Sequence, residues 1–263
     1  MAAPCYNINM KKVLSFDVDQ TINVAKTPIT DEIAELLLEC LNHFEVCPIS
    51  GQKFDQFMIQ IVDRLPNPTP EQLSHLHLFV AQGTQYYRFD PAKKEWVQVY
   101  NYPLTEEQVA KITTTIEQAA RELGFWEEDK LAPGDEIIEN RLSQVTFSAL
   151  GQKAGTEAKY AWDPDHKKRD QIAARCKELA PEFEYEVAGT TSINAVTPGM
   201  NKSFGMAHLL EELKVDKSDV LYFGDMTQPG GNDYPVVEMG FRTITVRNHE
   251  DTAFALRGIL GIL

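Results

Sequence analysis

A short apolar run, Lys11-Lys12-Val13-Leu14-Ser15, ends in Phe16-Asp17-Val18-Asp19-Gln20-Thr21. The run has strand character, and two carboxylates one residue apart at its carboxyl end make a site rather than a fold element. Buried charge is costly unless it is paired or metal-bound. In an open α/β sheet, ligands collect at the carboxyl ends of the strands. Asp17 and Asp19 therefore point to such a sheet, with a divalent cation and an anionic substrate at its edge.

The order that follows agrees. Thr30 reads as a helix N-cap with Asp31 and Glu32 in the first turn, and Ile33, Leu36, Leu37, Cys40 and Leu41 recur at helical spacing. Residues 45–51 read as a second strand ending in Ser50-Gly51, and Phe54, Phe57, Met58, Ile61 and Leu65 as one helix face. A proline-rich connector, 66–70, leads to a third strand at 76–81. This is βαβαβ order, the sign of a parallel sheet with helices on its faces. The texture then changes. Residues 85–89 and 96–100 flank Asp90-Pro91-Ala92-Lys93-Lys94 as a hairpin, 105–123 is a helix closed by Gly124, 137–150 and 185–196 are strand-like, and 165–179 is a charged amphipathic helix. After Pro198 the first pattern returns, with a helix at 201–213, strands at 219–223 and 241–246, and a helix at 251–260. The fold class is α/β: a Rossmann-like parallel-sheet core made of 1–85 and 199–263, interrupted by an inserted α+β cap domain at 86–198.

Composition narrows the function. A net charge of −14 argues against nucleic acid and against anionic membrane surfaces as partners. An anionic substrate must therefore be received by a local cluster of basic and backbone N–H groups. No stretch approaches the roughly 20 apolar residues of a membrane span, and Met1 to Met10 lacks the pattern of a signal peptide. Cys5, Cys40, Cys47 and Cys176 show no close-pair spacing, so neither a zinc site nor a disulfide frame is expected, and a cytoplasmic setting is. His75 and His77 alternate on a strand with no carboxylate close in sequence and are not read as metal ligands. Asp163-Pro164-Asp165 reads as a helix cap.

Polar groups thus gather at Asp17 and Asp19, at Ser50-Gly51, at Lys202 on a helix start, and at Gly224-Asp225 with Asn232-Asp233. In that order they resemble the haloacid dehalogenase (HAD) superfamily of phosphotransferases. Asp17-Val18-Asp19-Gln20-Thr21 is similar to its Asp-x-Asp-x-Thr motif, Ser50 to its Ser/Thr motif, Lys202 to its lysine motif and Gly224-Asp225 to its acidic motif. The run Gly224-Asp225-Met226-Thr227-Gln228-Pro229-Gly230-Gly231-Asn232-Asp233 is similar to the Gly-Asp-x-Thr-x-x-Gly-Gly-Asn-Asp of eukaryotic-type phosphomannomutases, whose α+β cap of type IIB follows the third core strand. The likeness is recognisable in the core on both sides of the insert and weak within it.

The resemblance implies a nucleophile at Asp17, a general acid/base at Asp19, phosphate contacts from Ser50, Gly51 and Lys202, and Mg²⁺ held by Asp17, the Asp19 carbonyl and Asp225. Asn232 and Asp233 would orient the metal shell. Substrate contacts fall on Lys26 in the loop and, from the cap, on Arg141, Gln152, Lys159, Ser192 and Asn194, and a homodimer through the cap is implied. The chain departs from the family at several of these positions. Lys26, Gln152 and Lys159 stand where the family has arginines, Asn194 where it has aspartate, and Gln20 where it has glycine. Arginine grips phosphate bidentately and lysine only as a point charge. The thinned cluster tilts the expectation to a phosphatase acting on a hexose phosphate or similar small metabolite. The alternative is a phosphomannomutase interconverting mannose 6-phosphate and mannose 1-phosphate, and a second alternative is a non-catalytic binding protein for phosphorylated metabolites.

Overall fold

The computed structural model describes residues 12–24 and 27–263, so Cys5 and Lys26 lie outside the described residues. β1 (Val13–Phe16) leads to α1 (Asp31–Cys40), β2 (Glu45–Pro48), α2 (Phe54–Gln60), α3 (Pro70–Ser74) and β3 (His77–Val80). A hairpin follows, β4 (Gln85–Asp90) and β5 (Glu95–Asn101). Next come α4 (Glu106–Glu122), β6 (Ile138–Asn140), β7 (Val145–Ser148), α5 (Thr156–Trp162), α6 (Lys167–Leu179), β8 (Glu184–Ala188) and β9 (Ser192–Val196). The chain closes with α7 (Lys202–Leu213), β10 (Val220–Gly224), α8 (Tyr234–Glu238), β11 (Arg242–Thr245) and α9 (His249–Leu260).

β1 is the centre of a parallel sheet ordered β11-β10-β1-β2. Its partners run from Val13↔Glu45 to Phe16↔Pro48 on one side and from Val13↔Val220 to Phe16↔Phe223 on the other. β3 joins β2 through parallel bridges at Val46↔Leu76 and Ile49↔Phe79. The chain therefore builds outward from β1 in one direction first and in the other only later. The reversal falls between β1 and β10, where an open α/β sheet leaves a crevice at the carboxyl ends of its strands. Asp17 leaves β1 and Asp225 leaves β10 on either side of it.

Alternation along each strand splits the core into two faces. Leu14, Phe16, Val46, Leu78 and Phe223 pack with Ile33 and Leu37 of α1 and with Ala253 and Leu256 of α9. Val13, Cys47, Phe79 and Tyr222 pack with Met206 and Leu209 of α7 and Val236 of α8. Because both faces are covered, the strands read as near-continuous apolar runs. A second, antiparallel sheet ordered β6-β7-β9-β8 carries its own core, in which Ile112, Ile116 and Ile172 from α4 and α6 meet Phe147 and Ile193. Among the described residues no helix is long and apolar enough to cross a membrane.

Several expectations are refined. The hairpin expected at the start of the insert pairs antiparallel with β3, from His77↔Arg88 to Val80↔Gln85, so residues 85–101 extend the core strands. The boundary expected at 85/86 cuts this ladder; a hairpin reads the same whichever neighbour it pairs with. Residues 137–150 fold back at Leu142 (φ 68) into two strands, and 185–196 at Gly189 (φ 52). α3 closes the proline-rich connector, capped by Thr69. α5 is missing from the sequence reading because Thr156–Trp162 is too short for an apolar stripe to repeat. His75 and His77 have their partner in Glu45, at 3.1 and 2.7 Å, brought from the neighbouring strand. Asp163 caps α6 as expected, accepting from the N–H groups of Lys168 and Arg169.

One backbone contact sets the seat of α7. A Cβ on Gly205 would stand 2.5 Å from Ile49 Cδ1 and 2.9 Å from the Cα of Gly83. The helix thus rests directly on the turn after β3, and Lys202, three residues earlier, is held at the sheet's edge. Gly205→Ala is expected to lower stability by about 1–3 kcal/mol through overpacking, measured by urea denaturation; an unchanged midpoint would show that α7 shifts without cost.

Candidate active site

The crevice between β1 and β10 collects most of the residues singled out in the sequence. Asp17, 3% exposed, follows β1 and donates its backbone N–H to Phe223 O at 2.8 Å. Lys202, the first residue of α7 and 1% exposed, donates to Asp17 Oδ1 and, at 2.6 Å, to Asp233 Oδ1. Asp233 also accepts from Tyr222 Oη at 2.5 Å and from the Met226 N–H at 3.0 Å. Gly224 permits this, because a Cβ there would meet Asp233 Oδ2 at 2.5 Å. Burial pushes the Asp17 carboxyl upward and the Lys202 charge pulls against it. Burial works to lower the Lys202 pKa, but Asp17 and Asp233 outweigh it and hold the ammonium charged. Asp225 is raised to about 6 by burial and by Asp233.

Asp17, Asp225 and Asp233 bring carboxylate oxygens within 4.8 Å of one another, the one such group among the described residues. With Asp19 they set four carboxylates against Lys202, an imbalance that a divalent cation would offset. Asn232 lines the same cavity, and its Oδ1 is buried with no hydrogen-bond partner. An all-oxygen set of carboxylates with an unsatisfied amide oxygen fits a hard cation. Asp233 already bonds to a lysine, a phenol and a peptide N–H, so it serves better as an orienting group than as a ligand.

The cavity above has a volume of about 380 Å³, within the usual range for small-molecule sites. Asp17, Asp19, Ser50, Gly51, Asp225 and Asn232 line it from the core. Gln52 donates to Asp19 Oδ1 at 3.0 Å and fixes that carboxylate. From the other side Arg141, Ser192 and Asn194 line it. Arg141 reaches across to the core, donating Nη1–H to Gly51 O at 2.7 Å and Nε–H to Glu139 at 2.7 Å. Gln144 donates to the same carbonyl at 2.8 Å. Asn194 Oδ1 accepts from Thr146 Oγ1 at 2.9 Å, and Ser192 Oγ lies 2.9 Å from Ser148 Oγ.

Three expected contacts do not reach the cavity lining; one of them, Lys202, 1% exposed, lies behind Asp17. Gln152 donates to Ser148 Oγ at 2.9 Å, and the buried Lys159 donates to Gln152 O at 2.7 Å. Burial lowers the Lys159 pKa, opposed by Asp135 and Asp19. The structure adds residues that sequence reasoning passed over. Tyr222 and Gln52 sit beside motif positions but belong to no motif. Gln82, Tyr160 and Arg169 line the cavity from elements that the sequence could not orient toward it. Gln20 Nε2 donates to Tyr160 Oη at 2.6 Å, joining the loop after β1 to α5. Arg169 is fully engaged in structure, pairing with Asp163 at 2.8 Å and donating to the Ala188 and Gly189 carbonyls.

Residues 73–262 match the model of the eukaryotic phosphomannomutase family. The chain is 24% identical over 259 residues to a probable phosphomannomutase of Caenorhabditis elegans, covering 95% of this chain and 96% of the relative. It is 23% identical over 264 residues to a phosphomannomutase of Saccharomyces cerevisiae, covering 98% and 97%. Among solved structures, a haloacid dehalogenase-like hydrolase from Bacteroides thetaiotaomicron superposes with a TM-score of 0.61 at 14% identity, covering 96% of this chain and 100% of the other. A C-terminally truncated IMP-nucleotidase from Plasmodium falciparum superposes with a TM-score of 0.71 at 14% identity, covering 97% and 72%. At those identities the structural matches establish the fold alone.

Glu186 of β8 meets the core at Gln82, a cavity-lining residue, accepting from its Nε2 at 3.2 Å. Burial, then Glu184, raises its carboxyl from 4.5 to about 7 against the pull of Lys202. An acid raised in the fold contributes its full stability below the unfolded value and loses it as pH climbs through the folded one. Between pH 4.5 and about 7 the protein is therefore expected to lose stability, by about 1–2 kcal/mol given the side chain's partial exposure. Glu186→Gln should flatten that slope in urea titrations at several pH values, and an equal slope in the variant would reject the assignment.

Proposed function

We propose that this chain, which belongs to the eukaryotic phosphomannomutase family, moves a phosphoryl group between two hydroxyls of a hexose phosphate through an aspartyl-phosphate on Asp17. Phosphoryl transfer on the haloacid dehalogenase fold is common to its relatives. The sequence alone leaned toward a phosphatase; the family match favours the mutase. The observation that supports this reading is a cavity with Asp17, held from behind by the buried Lys202, on its floor and Arg141 on its roof. A substrate with two anionic ends fits between them.

In the first step an Asp17 carboxylate oxygen attacks phosphorus and the bond from phosphorus to the sugar oxygen breaks. Lys202 holds Oδ1, whereas Oδ2 accepts the long 3.4 Å bond from Thr21 Oγ1, so Oδ2 is the less tightly held oxygen. Asp19, held by Gln52, gives a proton to the departing sugar oxygen. In the second step an acceptor hydroxyl attacks phosphorus, its proton passes to Asp19, and the bond to Asp17 breaks. Splitting the transfer this way replaces one difficult step with two easier ones. Ser50 and Lys202 hold phosphoryl oxygens. Mg²⁺, held by Asp17, Asp225 and the Asp19 carbonyl, would neutralise charge on the phosphoryl group when bound. The described cysteines Cys40, Cys47 and Cys176 are free and buried, in keeping with a reducing, cytoplasmic setting.

One observation favours hydrolysis as a second reading. Gln152 is neutral and Lys159 is turned onto the Gln152 carbonyl, so the grip on a distal phosphate rests on Arg141, itself engaged by Glu139 and Gly51. Two assays on one preparation separate the readings. Interconversion of mannose 1-phosphate and mannose 6-phosphate with Mg²⁺ and a catalytic hexose bisphosphate is expected. Release of inorganic phosphate without interconversion would establish the hydrolase, and neither activity would overturn both. Asp17→Asn is expected to abolish turnover with an unchanged melting temperature.

A further inference from the structure

We propose that Gln20 and Tyr160 are a positioning pair that decides which acceptor, water or a sugar hydroxyl, takes the phosphoryl group from Asp17; this rests on the phosphoryl-transfer reading above. The pair spans 140 residues of chain and joins the loop carrying Asp17 and Asp19 to α5 by a 2.6 Å hydrogen bond. Both side chains line the cavity, and Tyr160 is 45% exposed, so the bond stands at its mouth and not on its floor. Asp19 and Tyr160 line the same cavity, from the loop after β1 and from α5.

Gln20 adopts φ 67, in the left-handed region where side chains other than glycine, asparagine and aspartate are uncommon. Such a conformation persists where the surroundings over-determine it. Here the loop closes on itself, with Gln20 N–H donating to Asn23 O at 3.1 Å, and glycine would meet that demand with less strain. What glycine cannot supply is the amide that reaches Tyr160. The pair is neutral, so it adds no charge to compete for phosphate. Because Tyr160 Oη accepts from Gln20, its own proton is free to meet an oxygen in the cavity.

The second half-reaction gives this contact its importance. An acceptor oxygen attacks phosphorus, the bond from phosphorus to Asp17 breaks, and the acceptor's proton goes to Asp19. Water and a sugar hydroxyl satisfy that balance equally, so the choice between them depends on access to Asp17, and excluding water prevents the side reaction. A bond that ties the nucleophile's loop to α5 at the cavity mouth restricts that access.

The test uses the full chain with Mg²⁺ and acetyl phosphate as phosphoryl donor, then mannose 1-phosphate as acceptor. The ratio of inorganic phosphate to hexose bisphosphate formed from the phosphoenzyme is measured for the wild type, Gln20→Gly, Tyr160→Phe and the double variant. Each single variant is expected to raise the ratio about fivefold, the scale of one neutral hydrogen bond, and the double variant to add little. Melting temperatures should hold or rise in Gln20→Gly, where the strain is relieved, so loss of the fold does not imitate the effect. A wild type that forms no phosphoenzyme counts against the site's chemistry and this proposal together. A phosphoenzyme whose partition is all water already, or unchanged in the variants, overturns the pair alone.

Discussion

A buried ammonium holds this molecule's centre together. Lys202 sits at the head of α7, Asp17 at the end of β1 and Asp233 just before α8, and the three side chains meet buried, with Asp17 alone bordering the cavity. Removing Lys202 strands both carboxylates as uncompensated buried charge, which costs about 3–5 kcal/mol, whereas Asp17→Asn leaves the ammonium paired with Asp233. The contact also closes the fold topologically. β1 belongs to the first stretch of the core and α7 to the second, with the antiparallel sheet unit emitted between them. The ion pair fastens the returning chain at Asp17, the carboxylate proposed as nucleophile.

The hydrogen bonds that hold the remaining carboxylate oxygens follow from that arrangement. Tyr222 and the Met226 N–H complete Asp233, and Gln52 completes Asp19. None is charged, and each fixes a carboxylate by donating to it. Preorganised groups of this kind need not reorganise as charge moves onto the phosphoryl oxygens.

How much of this could be read from the residues differs between the two units. In the core, short apolar strands end in polar residues, and strand direction alone sends Asp17, Ser50 and Asp225 to one edge. The helix-capping residues Thr30 and Thr105 act as their chemistry suggests. In the antiparallel unit the signal fails for physical reasons. Orientation there depends on where strands fold back, at Leu142 and Gly189, and on a seven-residue helix that has no apolar period. Lys159 shows the limit: the family resemblance implied it as a substrate contact, whereas its ammonium is buried on the carbonyl of Gln152. The hairpin at 85–101 shows another, since alternation specifies a strand's faces but not its neighbour.

The carbonyl of Gly51 accepts from both Arg141 and Gln144. That peptide belongs to the loop proposed to receive phosphate, and both donors belong to the antiparallel unit. Among the contacts that couple the two halves of the molecule, this backbone oxygen is one that borders the reaction space. A rocking motion of one half against the other must release this clutch, and in doing so it would re-aim the peptide beside the substrate. Entry of a ligand and movement of the overlying unit would then share one degree of freedom.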